Sequence, residues 1–417
     1  MPMNRRELLA GVGGMAASGL AEAATRNSMP PSISNTSDAV SLPAKSDFSI
    51  PTGITYINSA YTHPMPNASA SALREWAEFR SHPQGFSQPK KLRNIKAEFA
   101  GLVNAKESEI CYIPNTSTGE NLVFNGLDID YKSDNVVTDA LHFEGAILHL
   151  QALQQRHGLD LRMVMPRDWR IEMKDLERLV DKNTKLIEIS LVAMDNGFQH
   201  DLKAVCDLAH AHRAYVYADI VQAAGNTPID VRTSDVDFCA CSSFKWLMGD
   251  FGLGFLFVKE SLLDRIIHRS QYGYYQAAGI DSHFLPGDPA NATAYTFALE
   301  NNATGHFEVG TQAIGIAHVL AQSLPYIRRL GVENICAHRQ PFLKRLHHEM
   351  PRLGFDPITP PESTSALISF AIRDYKSVQQ RLQNANVNAR VSQRYIRISP
   401  SVFNDMSDIE KLLQALS

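Results

Sequence analysis

The sequence predicts an α/β protein: a large domain built on a mostly parallel sheet flanked by helices, then a smaller α+β domain at the carboxyl end. Three observations predict it. Between residues 135 and 219, short apolar runs alternate regularly with amphipathic stretches of helical length, the rhythm of strands joined by helical crossovers. The chain has 417 residues with 44% hydrophobic and 20% charged content, enough for one large core and a smaller one. After about residue 324 the order changes to two long helical patterns, then strand, helix, strand, helix.

In order, residues 1–24 carry Arg5-Arg6, a Gly/Ala-rich weakly apolar run, and Ala21-Glu22-Ala23. The run is too short and glycine-rich for a stable membrane span. It reads as a twin-arginine export signal with a cleavage pattern. That expectation makes the export machinery a partner and the periplasm the location, with the cytoplasm as the alternative if the run is a plain tail. Residues 25–47, rich in Ser, Pro, Asn and Thr, read as a flexible linker. Residues 48–66 form an N-terminal segment with a short strand at 54–57 and a loop at 58–64.

The large domain is expected over 67–323. Helical periodicity covers 68–80 and 92–102, and a strand at 110–113 leads into a helix that begins near 121. Strands at 135–138, 159–165, 186–191 and 214–218 alternate with helices at 144–156, 173–180 and 202–212. The stretch 236–258 reads strand, lysine loop, glycine-rich turn, strand. A helix is expected over 262–269, an irregular loop over 271–302, and a long helix opening at 307 and running to about 330. The small domain, 324–417, holds helices at 333–350, 375–383 and 408–416 and strands at 367–372 and 395–398.

Net charge is −4 and the pI is near 6.4, which points to neither nucleic acid nor an anionic membrane surface. The five cysteines, Cys111, Cys206, Cys239, Cys241 and Cys336, show no C-x-x-C spacing. Cys239 and Cys241 share one face of a strand, which suits burial rather than a metal or a disulfide.

In mostly parallel sheets, ligands sit at the carboxyl ends of the strands. Three chemistry-bearing groups fall there: Ser117-Thr118, Asp219, and the loop from Ser242 to Lys245. Singly, each has an ordinary reading, as a helix N-cap, a turn residue and a lysine reaching solvent. Together with a nearby aromatic they match what pyridoxal phosphate requires. A lysine forms the Schiff base, a carboxylate holds the pyridine nitrogen protonated, hydroxyls and free helix N–H groups bind the phosphate, and a flat side chain stacks on the ring.

The stretch Tyr217–Gly225 (YADIVQAAG) resembles the D-x-x-Q/H-x-x-G motif of the class V aminotransferase superfamily of fold type I. That group includes cysteine desulfurases and isopenicillin N epimerases. Ser242-Ser243-Phe244-Lys245 is similar to its S-x-x-K loop, and Asn115–Asn121 (NTSTGEN) to its phosphate turn. Leu141–Gly145 stands at its ring-stacking position. Phe307–Thr311 (FEVGT) resembles its F-E-x-G-T element, and Arg397–Asn404 (RISPSVFN) its R-x-S-x-x-x-[YF]-N element. The resemblance runs from about residue 54 to the carboxyl end. It implies a seven-stranded sheet, a homodimer, and a small amino-acid-type substrate. It implies cofactor contacts for Ser117, Thr118, Phe143, Asn196, Asp219, Gln222, Ser242 and Thr311, the last across the dimer interface. Lys245 becomes the catalytic Schiff-base lysine and Arg397 the substrate-carboxylate ligand. His142 competes with Phe143 for the ring face, and Met194 with Asn196 in strict register.

Two departures bear on the reaction. Residues 388–395 (NARVSQRY) contain no cysteine where desulfurases carry one, and Phe244 replaces their usual histidine. Both count against persulfide chemistry. Transamination, epimerisation and elimination stay open. So does action on a secreted amino-acid-derived product such as a peptide siderophore, and so does a non-catalytic cofactor-binding protein.

Overall fold

Seven strands form the sheet that organises the molecule. The computed structural model describes residues 41–82, 94–282 and 295–417; the export-signal reading and most of the linker lie outside them. The strands are β1 (Ile110–Ile113), β2 (Asn135–Asp139), β3 (Asp160–Val164), β4 (Thr184–Ser190), β5 (Tyr215–Asp219), β6 (Phe238–Ser242) and β7 (Gly254–Val258). Their spatial order is β1-β7-β6-β5-β4-β2-β3. The pairs β6·β5, β5·β4, β4·β2 and β2·β3 are parallel, and β7 runs antiparallel to both neighbours. Every residue of β6 and β7 is buried, as expected of strands covered on both faces.

Helices fill the crossovers, and side chains close the N-termini of two of them, Thr116–Gly126 and Leu202–Ala211. Asn115 accepts from the Thr118 N–H and Asp201 from the Ala204 N–H, each satisfying an otherwise orphaned donor. The helix Ile95–Val103 packs on β7, where Phe99 and Phe255 stack with ring centroids 4.3 Å apart.

The carboxyl-terminal part has its own sheet. The strand Tyr395–Ile398 sits between Ile368–Ala371 and Arg390–Val391, antiparallel to both. Its core joins Phe342, Leu346, Ile368, Phe370, Ile396 and Leu412 with Ile57 from the N-terminal segment. The short strand Thr55–Tyr56 pairs with Val387–Asn388, so that segment is integral to the smaller domain.

Several expectations require correction. Residues 41–47, read as the end of a linker, are folded: Ala44 is buried, its N–H donates to the Val402 carbonyl, and Lys45 pairs with Asp405 at 2.6 Å. The helix Ile314–Leu330 buries Leu324, Ile327 and Leu330 in the large core, whereas the small core begins near Phe342. No helix forms over 262–269. Asp264 takes φ +58° and receives Arg269 and His306, which ends helical geometry there. The region read as an irregular loop contains an antiparallel pair, Ala277–Ser282 with Tyr295–Leu299. Phe307 closes a short helix, Ala303–Phe307, and does not open the long one.

Among the described residues, no helix is long and apolar enough to cross a membrane.

Candidate active site

The carboxyl ends of β1, β2, β4, β5 and β6 converge on one cavity of about 290 Å³. β5 ends in Asp219, whose Oδ1 accepts the Val221 N–H at 2.8 Å. The chain then turns tightly to Gly225, at φ +88°. A Cβ there would lie 2.8 Å from the Trp246 carbonyl oxygen, in the lysine loop. Glycine is thus required twice, for the left-handed backbone and for the close approach. Gly225→Ala is expected to destabilise the protein by about 2–4 kcal/mol and to loosen the Asp219–Lys245 juncture. Urea unfolding checks it; a change under about 0.5 kcal/mol, within the range of ordinary surface substitutions, contradicts the argument.

The lysine loop is held by its own backbone and by one serine. Ser243 Oγ lies 2.6 Å from the Leu253 carbonyl and 2.8 Å from that of Asp250. The Gly249 N–H donates to the Ser243 carbonyl, and the Met248 N–H to that of Lys245. Lys245 is only 9% exposed. Among the described residues its ammonium makes no hydrogen bond or ion pair; it lies 5.6 Å from the Phe244 ring centroid. Burial pulls its pKa down to about 8, against the opposing pull of Asp219. Burial likewise pushes Asp219 up to about 6, with the Val221 N–H and Lys245 opposing. A lysine and a carboxylate whose pKa values converge near neutrality are poised for chemistry.

Next to them lies a helix N-terminus. The helix Thr116–Gly126 begins beside β6, and the Thr116 N–H donates to Ser242 Oγ at 3.1 Å. Thr116 and Ser242 line the cavity, while Ser117 and Thr118, half-buried in the first turn, stand behind them. This is anion-binding geometry. Phe143 lines the cavity at the end of β2. His142 turns inward, with Nδ1 2.9 Å from Ser190 Oγ, and burial lowers its pKa.

The smaller domain supplies the far wall. Arg397 is 3% exposed; Nη1 donates to the Met194 carbonyl at 2.8 Å, and Nε is buried without a partner. Two residues earlier on the same strand face, Tyr395 lines the cavity and donates to Asp195 Oδ1 at 2.6 Å. Period-two alternation from Arg397 was the signal that could have found it.

Thus Phe143, Asp219, Ser242, Lys245 and Arg397 share one cavity. Gln222, Asn196 and Thr311 do not line it. Gln222 is consumed in packing, accepting from Trp246 Nε1 at 2.9 Å and donating to the Ala60 carbonyl at 3.1 Å. Asn196 donates to the Trp169 carbonyl and accepts from the Phe198 N–H, leaving Met194 on the cavity wall. Thr311 is exposed beside the Tyr274 hydroxyl, at 2.9 Å.

The residues present suit pyridoxal phosphate. Among the described residues, a buried lysine lacks a partner, a buried carboxylate faces the same space, a helix N-terminus opens beside a serine, and an arginine nitrogen is unpartnered.

Comparison with known proteins agrees with this chemistry. The family model "Aminotransferase class-V" matches residues 70–412. Curated proteins named cysteine desulfurase from Shigella sonnei (strain Ss046) and Escherichia coli (strain K12) are each 26% identical over 397 residues, covering 87% of this chain and 92% of theirs. Among solved structures, the apo cysteine desulfurase of Thermococcus onnurineus NA1 superposes with a TM-score of 0.75 at 22% identity, covering 89% of this chain and 95% of its own. The Escherichia coli cysteine desulfurase CsdA gives 0.76 at 19%, covering 90% and 98%. A complex of the cystine C-S lyase C-DES with cysteine persulfide gives 0.72 at 20%, covering 88% and 97%.

Proposed function

This chain belongs to the aminotransferase class-V family and is a pyridoxal-phosphate-dependent enzyme, and we propose that it acts at the amino-bearing carbon of an α-amino acid or a peptide-derived amine, without a cysteine thiol. The observation that carries the proposal is the composition of the cavity wall. It offers a lysine, a carboxylate and an arginine, and none of the five cysteines lines it. Cys111, Cys206, Cys239 and Cys241 are buried in the core, where burial pushes their thiols up, out of the nucleophilic range.

Bound in this cavity, the cofactor supplies an electron sink for negative charge developing at the substrate Cα. Asp219 would hold its ring nitrogen, Phe143 its ring face, and Ser242 with the first turn of Thr116–Gly126 its phosphate. Lys245 would anchor it and, once freed, carry the proton to and from Cα. Its lowered pKa suits that task near neutral pH. Arg397 receives the substrate carboxylate through a planar fork. Phe244 and Phe251, stacked 4.3 Å apart at the cavity wall, limit the access of water.

Incubation with an amino-acid panel, with and without 2-oxo acids, tests the reading. Product formation that needs a 2-oxo acid marks transfer, loss of optical activity marks epimerisation, and ammonia release marks elimination. Absence of all three sinks the proposal. A thiol-independent C–S lyase is the second reading, favoured by the desulfurase relatives.

We further propose a homodimer, for which the exposed Tyr272, Tyr274 and Leu299, the second of them touching Thr311, give support; sedimentation of a monomer alone would oppose it. Export to the periplasm, and action there on a secreted product such as a peptide siderophore, rests on the sequence of residues 1–24. Recovery of uncleaved protein only from the cytoplasm overturns it.

A further inference from the structure

We propose that the substrate carries a second anionic group, and that Arg390 receives it while Arg397 holds the α-carboxylate. The inference deepens the α-amino-acid reading above and rests on it. Arg390 and Arg397 are cross-strand partners in the ladder between Arg390–Val391 and Tyr395–Ile398. Directly paired residues in a ladder present their side chains to one face, and like charges so placed repel. Both arginines line the same cavity.

That repulsion is met only in part within the chain: Tyr395 and Asp195 favour the charge on Arg397, and Arg390 is left to solvent. Among the described residues, Arg390 forms no ion pair; its guanidinium carbon rests 5.5 Å from the Tyr61 ring centroid. Asp195 is engaged by the Tyr395 hydroxyl at 2.6 Å. Arg390 also works against the charge on Arg397, whose pKa is lowered first by its own burial. Arg397 has one nitrogen on the Met194 carbonyl and a buried Nε with no partner. One substrate carboxylate answers Arg397 alone. Arg390 is left open to receive a second anion.

The position of Arg390 says where that anion lies. Arg390 and Tyr61 line both the reaction cavity and an adjoining groove of about 560 Å³. Asn58, Gln379, Gln383, Asn386 and Asn388 give that groove an amide-rich wall. The second anion therefore sits at the junction, away from Cα. The shared chemistry is a distal carboxylate, borne either by a glutamate-like side chain or by a longer peptide-like arm extending into the groove.

The test uses the protein loaded with pyridoxal phosphate and non-reacting or slow ligands, read by calorimetry. Glutarate should bind about 10- to 100-fold tighter than butyrate, the range of a charge-assisted hydrogen-bonded contact. Arg390→Gln should abolish that preference and leave butyrate within about twofold, while Arg390→Lys should retain part of it. Equal binding of the two acids to the unaltered protein overturns the inference, as does an Arg390→Gln loss shared equally by both. A third arm with N-glutarylglycine, which like glutarate carries no reactive amine, assigns the source. Tighter binding than glutarate supports the distal site in the outer groove, and weaker binding supports it at the cavity mouth. The cofactor's visible absorption, recorded on the same samples, reports separately on the underlying reading. Arg390 is solvent-exposed, so its variants should melt with the parent protein.

Discussion

Replacing Lys245 by alanine should lower turnover by at least about 1,000-fold, the upper part of the range for a group that moves a proton in the transition state. The fold should survive, and stability should increase in a pH-dependent way. The reason is the environment of Nζ. It is buried, lacks a hydrogen bond or ion pair among the described residues, and titrates at about 8 where 10.5 is ordinary. Between about pH 8 and 10.5 the unfolded chain holds this proton and the folded one does not, so folding stability rises with pH across that window. Below about pH 8 both states hold it, and the full desolvation penalty remains, about 3 kcal/mol. The alanine variant, free of cofactor, should therefore be more stable than the parent at pH 7, with the gap closing by pH 10. Urea unfolding of both cofactor-free proteins at the two pH values measures this. A variant less stable at pH 7, or a gap that does not move with pH, would show that the ammonium is not desolvated as described.

Those parts of the site that lie on one continuous strand–turn could be read directly from the sequence. Asp219 ends a strand of the alternating series, and Ser242 and Lys245 follow another, so local pattern alone placed them at the same sheet edge. Ser117-Thr118 followed from the same logic, because a strand that enters a helix exposes N–H groups at one place, although it is their neighbour Thr116 that reaches the cavity wall. The far wall was harder. Tyr395, Arg390 and Arg397 come from a separate small sheet, and only the docking of that sheet brings them over Met194 and Tyr61. Gln222 illustrates the limit from the other side. Motif position pointed it at the cofactor, but its amide is satisfied on both sides by Trp246 and Ala60, partners that sequence spacing does not disclose. Residues 41–47 looked disordered by composition. They fold because Ala44 and Lys45 meet Val402 and Asp405, more than 350 residues away.

Asp219→Asn should separate stability from activity. The substitution keeps shape and an oxygen to accept the Val221 N–H, yet removes the charge that would hold the cofactor's ring nitrogen protonated. Activity should fall by at least about 100-fold, the effect of deleting a preorganised electrostatic partner. Cofactor retention on dialysis should weaken as well. Without cofactor, Asp219 titrates at about 6, raised by burial from the ordinary 3.8. Between those values the folded state binds the proton and the unfolded state does not, so stability falls as pH rises from about 4 to 6. Above pH 6 the carboxylate is ionised in both states, and the folded protein carries the whole burial penalty, about 3 kcal/mol. The cofactor-free asparagine variant should thus be more stable than its parent at pH 7.5 and lose that advantage near pH 4. Cofactor should reverse the order at pH 7.5, because a cation beside a buried carboxylate favours its ionised form and only the parent has that carboxylate. Thermal melts with and without pyridoxal phosphate decide it. If the variant gains as much from the cofactor as the parent does, Asp219 is not the ring-nitrogen partner. If the cofactor-free variant is less stable at pH 7.5, burial is not what raises the Asp219 pKa.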